Sequence, residues 1–169
     1  MKWIGITGTW RVTNHKVQTD VREAVRKILS DKSGIVTGGA LHVDYYATDK
    51  ALKLNPKADK IKVFLPTTLP IYARHYRRRA TEGVITKTQA EQLIHKLEKL
   101  QGANPDALRE NPLNTIVDKT NYYQRNQAVV DASDEIYAFQ VNKSAGVQDT
   151  IDKAKARNLP VKLFTYMLD

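Results

Sequence analysis

The feature that most constrains the fold is a repeated alternation between short β-rich runs and stretches with helical spacing of apolar residues. The β-rich runs are 2–7, 34–37, 61–65, 135–139 and 161–164. Strands separated by helices of this length are typical of a parallel sheet with helices on both faces. We therefore predict an α/β fold with a doubly wound, mainly parallel, five-stranded Rossmann-like sheet.

One stretch, from about 69 to 118, interrupts this alternation. It is mostly polar and helical in pattern, with no convincing strand. Thr88 to Glu91 fits a capping box, and an apolar stripe with helical spacing follows it. The stripe consists of Ala90, Leu93, Ile94, Leu97 and Leu100. We predict a helical insertion that is a lid or a partner surface, with the stripe either buried in the monomer or used as a homodimer face.

Length and composition exclude several classes of protein. A chain of 169 residues has the size of one domain, so we predict a single Rossmann-like nucleotide-binding domain over 1–169. It has no cysteine, and its four histidines lack metal-ligand spacing, which argues against disulfides and metal sites. We expect no cofactor. It has no apolar run near the ~18 residues of a membrane helix and no signal-peptide pattern, so we expect a cytoplasmic protein without a membrane partner.

The net charge of +9 is concentrated in residues 50–99, which carry 12 of the 27 Lys and Arg and only four Asp and Glu. The densest run contains Arg74, Arg77, Arg78 and Arg79, interleaved with His75 and Tyr76. Three readings stay open for it: a solvated helix face, contacts to a phosphate-bearing small molecule, or binding of single-stranded nucleic acid.

The first glycine-containing turn, Gly8-Thr9-Trp10-Arg11, directly follows the first β-rich run. Glycine allows a ligand to approach the backbone, Thr9 offers a hydroxyl and Arg11 a guanidinium that matches phosphate. The alternative is an ordinary strand-to-helix turn with a surface arginine.

The second turn, Gly38-Gly39-Ala40, follows the second run and is expected at a helix start, where free amides suit a phosphate. Asp44 follows within the next helix, where it either binds ribose hydroxyls or only favours the helix N-terminus. The spacing is not G-x-G-x-x-G, so the common dinucleotide fingerprint is absent.

The third turn, around Ser144 and Gly146, enters a helix after the fourth run, with Asp149 one turn further on. Ser144 is either a ligand contact or the helix N-cap. Upstream, Arg125 and Asn126 lie on the helix that leads into the fourth run, where the arginine is either a phosphate clamp or part of a surface salt bridge.

Together these turns resemble the SLOG superfamily, the Rossmann-like group that includes the DNA-processing protein A and "lonely guy" phosphoribohydrolase families. The resemblance covers about 1–66 and 119–169 and depends on the three turns, Arg125 with Asn126 and Asp134, and Asp149 with Thr150. It implies that the turns bind a nucleotide or its phosphates. Leu41 and His42 depart from the Gly-Gly-Ala-Arg-Gly pattern of the DNA-processing branch, and Trp10 is an extra residue in the first turn.

The leading hypothesis is therefore binding or sensing of a nucleotide-derived ligand. The first alternative is an N-glycosidic bond hydrolase acting on a nucleoside phosphate. The phosphoribohydrolases place a catalytic glutamate where this chain has Thr150, so Asp149 or Asp44 would have to replace it. The second alternative is single-stranded nucleic-acid binding through the arginine run.

Overall fold

The computed structural model describes residues 1–169 and contains one parallel sheet in the strand order β4-β3-β2-β1-β5-β6. The strands are β1 (Trp3–Gly8), β2 (Gly34–Thr37), β3 (Ile61–Phe64), β4 (Leu108–Arg109), β5 (Glu135–Val141) and β6 (Val161–Tyr166). The predicted α/β class and parallel sheet are confirmed. The predicted number of five strands is wrong, because β4 adds a sixth at one edge.

Six helices connect the strands. They are α1 (His15–Ser30), α2 (Val43–Leu54), α3 (Leu69–Thr81), α4 (Lys87–Ala103), α5 (Lys119–Asp131) and α6 (Ala145–Ala156). Helices α1 and α2 pack on each other, as do α5 and α6. No helix combines the length and apolar character needed to cross a membrane.

The strand order reverses at β1, which pairs with β2 on one side and with β5 on the other. In open parallel sheets the crevice at such a switch point, beyond the carboxyl ends of the strands, is where ligands bind. The turns after β1, β2 and β5 all open onto this edge.

The insertion is helical, as predicted, but it also supplies β4, which pairs with β3 through Leu108 and Arg109. A two-residue strand has no alternation for sequence analysis to detect. The capping box also lies two residues earlier than predicted, since the Thr86 hydroxyl accepts from the Gln89 amide at 3.0 Å and the Gln89 side chain accepts from the Thr86 amide at 2.9 Å.

The apolar stripe of α4 is buried inside the monomer, and all of it except Ile94 belongs to the main hydrophobic core. It is therefore not an exposed dimer face. The same core includes Leu69 and Tyr72 of α3, so the insertion is packed as part of the domain.

Candidate functional site

A cavity of about 640 Å³ lies at the carboxyl edge of the sheet, around the switch point between β1 and β5. Its volume is within the ~300–1,000 Å³ that is usual for small-molecule sites. The three glycine-containing turns contribute to its wall, together with α3 and α5. The predicted turns therefore converge on one cavity.

The first turn contributes Gly8, Thr9, Trp10 and Arg11 to the wall. The Thr9 hydroxyl is already used, since it accepts from the Val141 amide at 3.1 Å and donates to the Ser144 hydroxyl at 3.2 Å. Thr9 thus ties two turns together. The Trp10 side chain and the Arg11 guanidinium, which lies 5.9 Å from the Trp10 ring, have no such partners inside the protein and face the cavity.

The second turn is not at a helix start as predicted, because α2 begins only at Val43. Gly38 and Ala40 line the cavity, whereas Gly39 turns inward. A Cβ on Gly39 would lie 2.6 Å from the Leu65 side chain. The Gly39 carbonyl accepts a hydrogen bond from the Tyr72 hydroxyl at 2.9 Å. Gly39 therefore serves packing and does not face a ligand.

Asp44 is 5% exposed and lines the cavity. Its Oδ2 accepts from the Ala40 amide at 3.1 Å, while its Oδ1 is buried without any hydrogen-bond partner. Burial raises the pKa of the Asp44 carboxyl, whereas the nearby charge of Arg125 and the backbone amides of Ala40 and Gly38 act in the opposite direction. The cavity thus contains an unsatisfied buried acceptor, a feature that is rare in folded proteins.

Arg125 reaches across from α5 and lies directly on the second turn. Its Nη1 donates to the Gly38 carbonyl, its Nε donates to the Asn126 side chain at 3.2 Å, and its guanidinium lies 5.4 Å from the Tyr122 ring centre. A Cβ on Gly38 would lie 2.6 Å from the guanidinium carbon. The glycine at 38 therefore makes room for this arginine.

The third turn ends where α6 begins, with Ser144 at the N-cap position. The Ser144 hydroxyl makes no capping hydrogen bond and accepts from Thr9 instead. The first helical bond is donated by Gln148, so the amides of Ala145, Gly146 and Val147 precede it at the cavity wall. Free amides at a helix N-terminus are a common binding site for phosphate.

Asp149 does not line the cavity. Its Oδ2 accepts from the Asn126 side chain at 3.1 Å, and its Oδ1 pairs with Lys153 at 2.5 Å. The structure therefore places this predicted catalytic carboxylate behind the wall, where it helps to orient Asn126.

The arginines of α3 are divided between cavity and surface. Arg79 lines the cavity, whereas Arg74, Arg77 and Arg78 do not. Arg77 forms two hydrogen bonds with Glu91 on α4, at 2.8 and 3.2 Å, and is not free to act with its neighbours. Three of the four arginines in the predicted run, Arg74, Arg77 and Arg78, are thus outside the cavity.

Most of the aromatic residues on the cavity wall are not among the predicted site residues. Tyr122 and Tyr123 of α5 line the cavity, as do His75 and Tyr76 of α3. The Tyr122 hydroxyl lies 3.3 Å from His75 Nε2 and links the two helices. The available signal was the Tyr-Tyr pair just before Arg125, together with the i, i+4 spacing of His75 and Arg79.

The charge of the cavity wall favours an anion. The cationic side chains on it are Arg11, Arg79, Lys119 and Arg125, and the carboxylates are Asp44 and Asp118. The Asp118 carboxylate caps α5 by accepting from the Asn121 amide at 2.8 Å. A ligand with phosphate, hydroxyl and aromatic parts matches this wall.

No model of a protein family and no curated protein matches the sequence. Several solved structures share the fold. DNA processing protein A from Helicobacter pylori, described for its single-stranded DNA binding mode, has a TM-score of 0.69 and 21% identity over 96% of this chain and 64% of its own. The protein TM1055 has a TM-score of 0.58 and 13% identity, over 95% and 72% of the two chains.

The molybdenum cofactor carrier protein of Chlamydomonas reinhardtii has a TM-score of 0.54 and 14% identity, over all of this chain and 91% of its own. These matches show that the chain shares a Rossmann-like fold with all three proteins, as the resemblance implies. The chain spans a little under two-thirds of the H. pylori protein.

Proposed function

We propose that this protein binds a nucleotide or a nucleotide-derived ligand in the cavity at the switch point. A phosphate would accept hydrogen bonds from the amides at the start of α6 and from Arg11 or Arg125. A sugar hydroxyl would donate to Asp44, and the base would lie against Trp10 or the tyrosines of α5. Each of these groups lines the cavity.

The observation that carries the proposal is the buried Asp44 Oδ1 without a partner. An unsatisfied buried acceptor costs about 1–3 kcal/mol, and a hydroxyl donated by a ligand would remove that cost. The neighbouring free amides of α6 and the cations Arg11 and Arg125 supply the matching phosphate contacts. A sugar phosphate combines a hydroxyl and a phosphate in one small molecule.

The fold neighbours support this choice. The H. pylori protein is described for its single-stranded DNA binding mode, and the Chlamydomonas protein is described as a molybdenum cofactor carrier. Binding of single-stranded nucleic acid is accordingly the second candidate, favoured by Arg79, which connects the arginine run to the cavity. Cleavage of an N-glycosidic bond would depend on Asp44, since Asp149 lies behind the wall.

A thermal-shift and calorimetry panel tests the proposal with AMP, GMP, CMP, UMP, dAMP, adenosine and inorganic phosphate. We expect AMP to raise the Tm by several degrees at saturation, because a ligand at 100 times its Kd adds ~2.7 kcal/mol. Adenosine and phosphate alone should give smaller shifts, and a stronger effect of AMP than of dAMP would indicate a contact to the 2′-hydroxyl. Absence of a shift with AMP, GMP, CMP and UMP at millimolar concentration would refute nucleotide binding.

Asp44→Asn is expected to stabilise the free protein and to weaken its binding of AMP. Burial raises the folded-state pKa of Asp44 above its unfolded value, so the ionised carboxyl destabilises the fold as the pH rises above about 4. The variant lacks this penalty, and its Tm should exceed that of the wild type at pH 7.5 but approach it at pH 4.

The matched control is Asp152→Asn, which changes an exposed carboxylate on α6 that accepts only from Gln148 and lies outside the cavity. It should leave both the Tm and the affinity for AMP close to wild type. A destabilised Asp44→Asn protein with normal affinity would show that the carboxylate serves the fold and not the ligand.

A further inference from the structure

Arg79 is a half-buried arginine with no anionic partner. It lies in the last turn of α3 and lines the cavity, yet no carboxylate approaches within 4 Å of its guanidinium and no protein acceptor receives a hydrogen bond from it. Arg77, two residues earlier, is fully engaged with Glu91 at 2.8 Å. The charge of Arg79 is therefore uncompensated at the wall of the cavity.

His75 lies one helical turn before Arg79 and lines the same part of the wall. Its Nε2 is 3.3 Å from the Tyr122 hydroxyl, and its ring packs edge-on against Tyr76 at 5.6 Å. Burial and the charges of Arg79 and Arg78 lower the pKa of His75, while Glu82 acts in the opposite direction. The ring is held in place, and its Nδ1, which makes no hydrogen bond within the protein, can donate to an anion when Nε2 accepts from the Tyr122 hydroxyl.

Arg125, unlike Arg79, has hydrogen-bond acceptors within the protein. Its guanidinium already donates to Gly38 and to Asn126, and its charge lies near that of Asp44. The free amides that suit a first phosphate belong to α6, on the connection between β5 and β6, whereas Arg79 and His75 belong to the connection between β3 and β4. The two anion-binding groups therefore come from different walls of the cavity.

We propose that Arg79 and His75 form a second anion subsite, supplied by the insertion, which binds a phosphate beyond the one at the start of α6. This inference rests on the proposed nucleotide function and narrows it to ligands with at least two phosphate groups. The second phosphate would be part of a polyphosphate or of an internucleotide diester, which offer the same non-bridging oxygens to a guanidinium.

The test compares three probes by calorimetry at constant ionic strength: AMP with one phosphate, ADP with a polyphosphate, and pApA with a diester. We expect ADP or pApA to bind the wild type at least tenfold more tightly than AMP does. The probe with the higher affinity identifies the source of the second phosphate. Arg79→Gln should remove that gain and change the affinity for AMP less than twofold. His75→Asn should remove a smaller part of it.

Arg78→Gln is the matched control, because it removes the same charge from the neighbouring residue, which is exposed and outside the cavity. An equal loss of affinity for ADP or pApA in Arg78→Gln and Arg79→Gln would show that the effect is general electrostatic attraction, and it would overturn the subsite. The subsite is also overturned if neither ADP nor pApA binds more tightly than AMP. In that case, binding of AMP would still support the proposed nucleotide function. If AMP, ADP and pApA all fail to bind, the subsite is overturned, and the nucleotide function fails with it when GMP, CMP and UMP also give no thermal shift.

Discussion

Asp49→Ala is expected to destabilise the protein more than any other single change to a charged side chain. Asp49 lies on α2 with only 7% of its side chain exposed, and it pairs with three cations. Its Oδ2 is 2.8 Å from Arg22 of α1 and 3.1 Å from Lys53 of α2, and its Oδ1 is 2.7 Å from Lys96 of α4. The carboxylate thus joins two helices that flank the sheet to the insertion.

The cost arises because the cations remain when the carboxylate is removed. The side chain of Lys96 is 14% exposed and that of Arg22 is 25% exposed, so neither is well solvated. Breaking a buried ion pair from one side costs about 3–5 kcal/mol. For a domain of this size, that corresponds to a fall in Tm of roughly 10 °C.

The pH dependence of this loss has a defined sign. Burial tends to raise the pKa of Asp49, but the hydrogen bonds from Lys96, Arg22 and Lys53 outweigh it and hold the pKa well below its usual value. A carboxyl with a lowered folded-state pKa stabilises the fold above its unfolded pKa, near 4. The difference in Tm between wild type and Asp49→Ala should be complete at pH 7 and shrink as the pH falls below about 4.

Glu23→Ala is the control, because it removes a carboxylate of α1 whose partner, Arg26, is equally exposed. Its Tm should stay close to that of the wild type at every pH, since exposed pairs contribute little. Similar melting curves for Asp49→Ala and Glu23→Ala would show that the three-cation cluster does not stabilise the fold.

The fold could be predicted because its signals are local. Each long strand is an apolar run, and stretches with helical spacing of apolar residues separate these runs, so the α/β class and the parallel sheet can be predicted directly. β4 was missed because two residues that pair with β3 carry no pattern of their own. The capping box was placed two residues late because Thr86 with Gln89 and Thr88 with Glu91 fit the same rule, and only packing of the helix decides between them.

The site was predictable in its backbone but not in its side chains. The turns were found from glycine, whereas which arginine faces inward depends on how α3 is rotated against α4. Burial of Tyr72 and Tyr76 sets that rotation and directs His75 and Arg79 to the cavity. The sequence alone does not distinguish Arg79 from Arg74, Arg77 and Arg78, because all four are arginines of one short run.

The roles of Gly38 and Asp149 were also beyond sequence analysis, since both depend on residues far away in the chain. Gly38 leaves space for Arg125, which is 87 residues away, and Asp149 pairs with Asn126 and Lys153. The sequence alone does not distinguish a glycine that leaves space for a ligand from one that leaves space for an arginine side chain. Only the packing of α5 on the second turn distinguishes them.

Arg125→Ala is expected to cause the largest loss of nucleotide binding. Nη1 and Nε of Arg125 are held by Gly38 and Asn126, which leaves Nη2 without a protein acceptor and available to a phosphate oxygen. A hydrogen bond to a charged group contributes about 1.5–3 kcal/mol, so the affinity for AMP should fall ~10- to 150-fold. The measurement is the Kd for AMP by calorimetry, with the Tm of the free variant recorded alongside.

Gly38→Ala separates the position of the guanidinium from its charge. The new Cβ would lie 2.6 Å from the guanidinium carbon and Nη1 of Arg125, and the end of this flexible side chain has to move. The variant keeps the net charge of the protein but shifts the phosphate-binding group. We expect a loss of AMP affinity in the same direction as for Arg125→Ala, and a smaller one.

Arg157→Ala provides the charge-matched control, because Arg157 follows α6 outside the cavity and pairs there with the exposed Asp131. Its affinity for AMP should equal that of the wild type. Normal affinity in both Arg125→Ala and Gly38→Ala would rule out this arginine as a phosphate contact. A loss in Arg125→Ala alone would mean that the charge matters and its position on the second turn does not, because Gly38→Ala moves the guanidinium without removing it.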